Sequence, residues 1–404
     1  TPEKVEVQQP TSKDDAEVIS EYGNTESGKI IIANLDSMEI ALIENGITKS
    51  KLPILTKGKP GSYYETPGGD YKVESKEDVK LSSLGNVYMP YAMQFFGNYF
   101  IHGIPYYKDG KKVSSSYSGG CIRLLDTDAK QVYDFASVGD TKVHITNNSY
   151  YSSSTVDSQY YIAQSDGLSL TASQAIAMDL SSGQILLEYN GNQIIPMEGN
   201  SKLLAANVSL DVVNQEKIIT YKNNKIQVKD LLPLILTNAD EDAMDTVIKQ
   251  YGSSNFIKKM NTKAAAIKLT NTYIVEPSGL SEKTVSTVYD IAKLIKYTND
   301  FKPFLLAISS ATTTSSSTLN IFAGKEGYYG GSYGFLPTQY HSIAGVFDIE
   351  PKANLVDIIN GAGNNMGVAT PTKVKVVLVI SGSINPEADI NNLLEYLNKS
   401  AMAK

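Results

Sequence analysis

The sequence predicts a multidomain protein, with a mainly-β domain over residues 29–146 and an α/β (α+β) domain over 168–404. Three observations predict it. At 404 residues the chain is too long for one ordinary core. Before residue 146 its apolar runs are short and separated by turn signals such as Asn45-Gly46. After residue 168, strand-like runs stand at the two ends of a stretch of helical periodicity. The apolar fraction of 42% is that of a soluble globular protein. A net charge of −7 argues against nucleic acid as the main partner, because phosphate binding calls for a basic face. One Cys cannot close an internal disulfide. No run of 18 apolar residues is present, so a membrane contact is expected only through an N-terminal anchor outside this sequence.

Residues 1–28 are polar and charged and read as a flexible leader. Ile30-Ile31-Ile32-Ala33 is a first short strand, Leu35-Asp36-Ser37 a turn, and Met38 to Leu42 an alternating second strand. Thr66-Pro67-Gly68-Gly69-Asp70-Tyr71 is a turn that leads into a strand. Tyr106 to Tyr117 is a polar loop, expected to form a hairpin or lid. Asp126-Thr127 can cap a helix through Ala136, with Ala129, Val132, Tyr133 and Ala136 on one stripe. Lys142 to Ile145 is a last strand, with His144 facing solvent by alternation. Residues 147–167 are rich in Ser, Tyr and Asn and read as a linker.

The chemistry of this first domain centres on Ser118-Gly119-Gly120-Cys121-Ile122-Arg123-Leu124. It contains the chain's one Cys and its one Arg. His102 lies upstream in the apolar run Tyr99-Phe100-Ile101-His102-Gly103. A thiol attacks as the thiolate, so it needs a neighbour that takes its proton, and an imidazole does this near neutral pH. Glycines before the nucleophile let backbone N–H groups converge on one point, where they can stabilise an oxyanion. The alternative for a lone Cys is a small buried hydrophobe.

His102-Gly103 followed by Ser-x-Gly-Cys-Ile-Arg-Leu resembles the signature of the L,D-transpeptidase (YkuD-type) domain. Thr66-Pro67-x-Gly69 and Met89-Pro90-Tyr91-Ala92-Met93 extend the likeness over about 29–146. The resemblance implies a peptidoglycan enzyme that works through a Cys121 acyl-enzyme. His102 is then the base, the Gly103 carbonyl holds its tautomer, and the N–H groups of Gly120 and Cys121 form the oxyanion hole. Arg123, Ser118, Gly119 and Tyr91 are expected to contact substrate. The family carries a second His directly before Gly-Cys, and here Gly119 stands in that place.

The later domain reads as two strands around Ser181-Ser182-Gly183, a helix over 203–212, a helical run over 229–249, helices over 255–268 and 287–297, and a strand over 374–380. The order Asp179-Leu180-x-Ser182-Gly183, Met260-Asn261-x-Lys263-Ala264 and Pro277-Ser278-Gly279-Leu280 resembles the serine D-Ala-D-Ala carboxypeptidases, with their penicillin-binding/β-lactamase-like fold. That family needs Ser-x-x-Lys, Ser-x-Asn and Lys-Thr-Gly. Here the three places align as Gly199 to Lys202, Asn238-Ala239-Asp240, and Tyr329-Gly330-Gly331. Glycine carries no hydroxyl, so a pseudoenzyme domain is expected, with Tyr328, Tyr329, Tyr333 and Lys202 lining what remains of its cleft.

The resemblances together imply an extracytoplasmic L,D-transpeptidase acting on peptidoglycan stem peptides and open to carbapenem-type inhibitors. They leave two alternatives: an L,D-carboxypeptidase that trims tetrapeptide stems, or a non-catalytic wall-binding protein. No cofactor is implied, and the three His show no metal-ligand spacing.

Overall fold

The structure, a computed structural model, describes residues 27–82, 84–146, 160–162, 167–311, 320–335, 341–351 and 373–403. Most of the leader and most of the linker lie outside them. The chain divides into two compact units, one of residues 1–58 and 70–147, the other of 59–69 and 148–404.

In the first unit, β1 (Lys29–Asn34), β2 (Glu39–Glu44), β3 (Ile47–Pro53) and β4 (Gly69–Lys72) precede β5 (Ser75–Ser82), β6 (Val87–Phe96), β7 (Tyr99–His102) and β8 (Ile122–Arg123). Helix α1 (Asp126–Phe135) and β9 (Lys142–Thr146) follow. One sheet runs β3-β2-β1-β9-β4 and the other β5-β6-β7-β8. The β2–β3 turn places Asn45 at φ 51° and Gly46 at φ 76°, the left-handed pair that a two-residue type I′ hairpin needs. Ile30, Ile31 and Ile32 are all buried, so β1 is covered on both faces. Tyr71 packs on Phe95 and Phe96 at ring-centroid distances of 5.5 and 5.1 Å. Helix α1 buries Ala129 and Val132, and its residue 125 cap makes no side-chain bond. Asp126 and Asp128 in its first turn complement the helix dipole. Lys76 Nζ closes its other end by donating to the carbonyls of Tyr133 and Ala136.

His144 is the clear departure from the sequence reading in this unit. It is buried, not solvent-facing, and its Nδ1 pairs with Asp70. Alternation places a side chain outward only when one sheet face is bare, and β9 runs inside its sheet between β1 and β4.

The second unit contains β10 (Tyr160–Ile162), β11 (Gln174–Asp179), β12 (Ile185–Tyr189), β13 (Ile195–Pro196), α2 (Asn200–Val212), β14 (Ile218–Tyr221) and β15 (Asn224–Gln227). It continues through α3 (Leu232–Thr237), α4 (Glu241–Lys249), α5 (Ser253–Ala266), β16 (Val285–Ser286), α6 (Val288–Phe301) and α7 (Pro303–Ser310). It ends with β17 (Tyr328–Phe335), β18 (His341–Ile349), β19 (Val374–Ser383), α8 (Pro386–Ser400) and β20 (Ala401–Ala403). The main sheet, β12-β11-β19-β18-β17, is antiparallel throughout. Alternate residues of β19 face opposite layers. Val377 and Val379 pack with the core of α2 and α6, whereas Val376, Leu378 and Ile380 pack with Ile390, Leu393 and Leu397 of α8. All 13 residues of α2 are buried, which explains its lack of an amphipathic stripe.

Two expectations change here. The helical run over 229–249 is a 3₁₀ turn followed by α3 and α4, broken at 238–240. Within the expected linker, residues 160–162 form β10 and pair antiparallel with β20.

Residues 59–69 leave the first unit and pack into the second. Tyr63 stacks on Phe304 with centroids 4.5 Å apart, and Tyr64 Oη donates to Glu216 Oε1 at 2.7 Å. Lys302 Nζ donates to the Glu65 carbonyl at 2.8 Å. A Cβ on Gly68 would fall 2.1 Å from Phe301 Cζ, so only glycine fits there. Lys302 and Lys263 flank Asp211 in the interior, with Lys263 Nζ 2.8 Å from Asp211 Oδ2. Burial lowers the Lys302 amine to about 8, against the pull of Asp211.

Candidate active site

Strands β7 and β8 pair in parallel, with Ile101 opposite Ile122 and His102 opposite Arg123. Side chains alternate along a strand, so Phe100, His102 and Arg123 share the face opposite Ile101 and Ile122, and Cys121, which directly precedes β8, packs on Phe100 of that face. His102 is buried, and its Nδ1 stands 2.6 Å from the Gly103 carbonyl oxygen. A carbonyl only accepts, so Nδ1 carries the hydrogen and Nε2 keeps its lone pair. Burial lowers the imidazole to about 4, and the Arg123 charge pushes the same way. A Cβ on Gly103 would meet Asp126 Oδ1 at 2.5 Å and Pro90 Cγ at 2.9 Å.

The Cys121 side chain lies against Met89, Ala92 and Phe100, with Sγ 3.7 Å from the Asn98 carbonyl. Burial pushes the thiol up to about 11, while a backbone hydrogen bond from Phe100 and the Arg123 charge pull it down. Arg123 Nη1 donates to Ser115 Oγ at 2.8 Å, and its Nε is buried with no hydrogen-bond partner among the described residues. The strand pairing sets His102 beside Arg123, and Cys121 packs on Phe100, two residues before His102 on the same strand.

The glycines and Ser118 take roles that the sequence did not reveal. Gly120 sits at φ 103°, which favours glycine. Its N–H donates to Ser118 Oγ at 3.1 Å, and Ser118 Oγ donates to the Cys121 carbonyl at 2.5 Å. Ser118 is buried, and its own N–H donates to the Lys57 carbonyl. It therefore shapes the nucleophile loop instead of presenting itself to a ligand. Gly120 could serve as an oxyanion donor only by giving up its bond to Ser118. A Cβ at Gly119, in the place of the family's second His, would meet nothing within 4 Å.

Tyr91 stands elsewhere. It adopts φ 52° inside β6 and lines a groove of about 720 Å³ with Tyr106, Tyr133, Asp78 and Asp126. Neither Cys121 nor His102 lines that groove.

In the second unit, Gly199 is the N-cap of α2, and a Cβ there would fall 2.2 Å from the Tyr333 carbonyl oxygen. The strand residues opposite the α2 N-terminus are thus Tyr333 and Gly334, not Tyr329 to Gly331. Tyr329 instead donates to Asp348 Oδ2 at 2.9 Å, with Lys375 Nζ 3.7 Å above its ring. Tyr328 is buried against Phe322 and Phe347 and so does not line a cleft as expected, while Tyr333 is half-buried with its Oη 2.7 Å from His341 Nδ1. Ser201 Oγ donates to the Pro277 carbonyl at 2.9 Å and is sealed from solvent. Lys202 pairs with Glu241 at 2.9 Å. Asp240 caps α4 by accepting from the Ala243 N–H at 2.9 Å, and Asn238 Oδ1 accepts from Thr237. Sequence reasoning missed Glu198. It is buried at φ 51°, it accepts from Ser342 Oγ at 2.9 Å, and burial raises its carboxyl to about 7.

Comparisons with known proteins agree with this division. Residues 28–145 match the family described as L,D-transpeptidase catalytic domain, and residues 211–325 the family described as D-alanyl-D-alanine carboxypeptidase. Similar curated proteins are D-alanyl-D-alanine endopeptidases. One from Pseudomonas aeruginosa is 28% identical over 169 residues, covering 37% of this chain and 53% of that protein. One from Escherichia coli is 31% identical over 145 residues, covering 31% of this chain and 47% of that protein. The chain thus spans about half the length of these relatives. Among solved structures, penicillin-binding protein D2 from Listeria monocytogenes in its cefotaxime-bound form aligns at TM-score 0.46 and 20% identity, over 58% of this chain and 98% of that one. The D-alanyl-D-alanine carboxypeptidase from Mycobacterium tuberculosis aligns at TM-score 0.47 and 19% identity, over 58% and 94%. The matches divide the chain into two domains of different families. It carries an L,D-transpeptidase (YkuD-type) domain followed by a D-Ala-D-Ala carboxypeptidase-like domain.

Proposed function

We propose that this chain is a bacterial cell-wall L,D-transpeptidase whose second unit is a pseudoenzyme. The observation that carries the first part is the fixed tautomer of His102, which leaves Nε2 as base on the strand face whose Phe100 packs on Cys121. Cys121 Sγ attacks the carbonyl carbon of the third residue of a tetrapeptide stem, and its proton passes to Nε2. The amide C–N bond breaks, and the D-Ala amine leaves with that proton. Nε2 then takes a proton from an acceptor amine as the amine attacks the thioester carbonyl; the C–S bond breaks, the new amide is the cross-link, and the proton returns from Nε2 to Cys121 Sγ. With the thiol near 11 and the imidazole near 4, both groups start uncharged, so proton transfer accompanies attack. No cofactor takes part in this sequence.

The pseudoenzyme reading rests on Gly199, where the space of a serine side chain is filled by the Tyr333 carbonyl. This unit would bind or position peptidoglycan without cutting it. The endopeptidase activity named for the curated relatives is therefore not assigned to it. Peptidoglycan lies outside the cytoplasm, so we assign the protein there. Among the described residues no helix is long and apolar enough to cross a membrane.

The open space at Gly119 gives a specific reason to keep hydrolysis as a second reading, since it leaves room for water near the nucleophile loop. The test is mass spectrometry of disaccharide-tetrapeptide incubated with the protein, beside Cys121→Ala. Cross-linked dimers that vanish in the variant are expected. Tripeptide without dimers would move the assignment to an L,D-carboxypeptidase. No Cys121-dependent product, and no carbapenem adduct on Cys121, would remove both.

A further inference from the structure

The groove that holds Tyr91 adjoins the Gly103–Ile104 segment but is not lined by Cys121 or His102. Its volume of about 720 Å³ falls within the ~300–1,000 Å³ usual for small-molecule sites. Its walls come from β5, β6, the 106–112 loop and α1 of the first unit. Three half-buried tyrosines line it. Tyr91 meets Tyr133 edge-on at 5.9 Å, and Tyr106 stacks on Tyr88 at 5.5 Å. Tyr91 holds a left-handed backbone within a strand, a strained state that persists where surrounding structure enforces it and that concentrates at ligand sites.

The charges of the groove are already matched. Tyr133 Oη donates to Asp78 Oδ1 at 2.9 Å, Lys130 pairs with Asp134 at 2.5 Å, and Lys112 pairs with Asp126. An ionic ligand would have to displace one of these partners. Each carboxylate nevertheless keeps spare acceptor positions and each ammonium keeps spare donors. Flat aromatic faces beside paired donors and acceptors suit a neutral ligand with apolar ring faces and many hydroxyl or acetamide groups.

We propose that this groove binds the glycan strand of peptidoglycan, as a neutral N-acetylated hexosamine unit. The location gives the site a purpose. Pro90 and Asp126 both line the groove, and they accept hydrogen bonds from the N–H groups of Gly103 at 2.9 Å and Ile104 at 2.7 Å. A sugar seated there rests on the segment that follows His102, so glycan recognition and base positioning share a wall. The proposal takes its choice of sugar from the peptidoglycan reading, but its test needs no turnover, so either can fail alone.

The experiment is calorimetric titration of the full chain with chitotetraose, a neutral N-acetylglucosamine oligomer that carries no stem peptide. Saturable binding is expected. It should weaken about tenfold in Tyr133→Ala, which removes an aromatic face. It should weaken several-fold in Asp78→Asn, an isosteric change at an exposed position that preserves the fold. Melting curves of both variants check their folding. Absence of saturable binding overturns the proposal. Binding that neither variant affects also overturns it, because the sugar then sits elsewhere. Binding of a stem tripeptide with the same sensitivity to the variants, and none of chitotetraose, assigns the groove to peptide and overturns the glycan.

Discussion

A thiol near 11 beside an imidazole near 4 means that neither is charged over most of the accessible pH range. Acylation of Cys121 by a carbapenem should therefore show a broad plateau between about pH 4 and about pH 11 instead of a narrow bell. A stable thiolate–imidazolium pair would instead give a thiol pKa below neutral. Alkylation by iodoacetamide, which takes the thiolate alone, tests the same point. A rise from 9.0 to about 11 cuts the thiolate fraction about a hundredfold, and the greater nucleophilicity of a more basic thiolate restores about tenfold. Cys121 should thus react about tenfold more slowly than a free cysteine at pH 7, and more slowly again in Arg123→Gln, which loses the cation that holds the pKa down. At Gly199 the space argument makes a separate prediction. Gly199→Ser should not restore labelling by fluorescent penicillin, and it should lower the melting temperature, because its Cβ meets the Tyr333 carbonyl at 2.2 Å. Cys121, His102 and Gly103 were legible in the sequence because each belongs to a short local string. The bonds of Ser118 inside the loop, and the burial of His144 and Glu198, depend on strands distant in the chain and left no local signal.

Elements were legible where burial leaves a periodic stripe. Helix α1 shows this, with Ala129 and Val132 spaced for one face. Helix α2 was read only in part because every residue in it is buried, so no polar side marks its limits. The β10–β20 pair could not be read at all, since it joins residues about 240 apart and a local pattern does not specify a distant partner. Residues 59–69 belong with these. Their turn residues look like a simple strand entry, yet Gly68 is fixed by Phe301 of α6. Gly68→Ala should expel this segment from its seat in the second unit. Limited chymotrypsin digestion should then cut after Tyr63 and Tyr64 at least several-fold faster than in the parent chain, with activity of the thiol toward iodoacetamide unchanged. Equal cleavage rates would mean that the seat tolerates a methyl group and that Gly68 has no packing role.

At the scale of the molecule, the two units carry buried ionisable groups that respond to pH in opposite directions. His102 falls from 6.5 to about 4 on folding. Between those values the unfolded chain binds a proton that the folded one does not, so the stabilisation present above pH 6.5 is lost as pH falls through about 4. Glu198 rises from 4.5 to about 7. In that window the folded chain keeps a proton that the unfolded one has released, so its contribution is full below pH 4.5 and is lost as pH rises through about 7. Each shift corresponds to ~3 kcal/mol across its window. Acidification from pH 7 to 4.5 should therefore destabilise the first unit while it stabilises the second. Hydrogen exchange, corrected for intrinsic rates, reads the two separately through the amides of β7 and of α2. Protection of β7 should fall with acidification and protection of α2 should rise. His102→Gln should flatten only the first slope and Glu198→Gln only the second. If α2 protection keeps its slope in Glu198→Gln, another group controls the second unit, and the buried carboxyl beside Ser342 is not its pH-sensing residue.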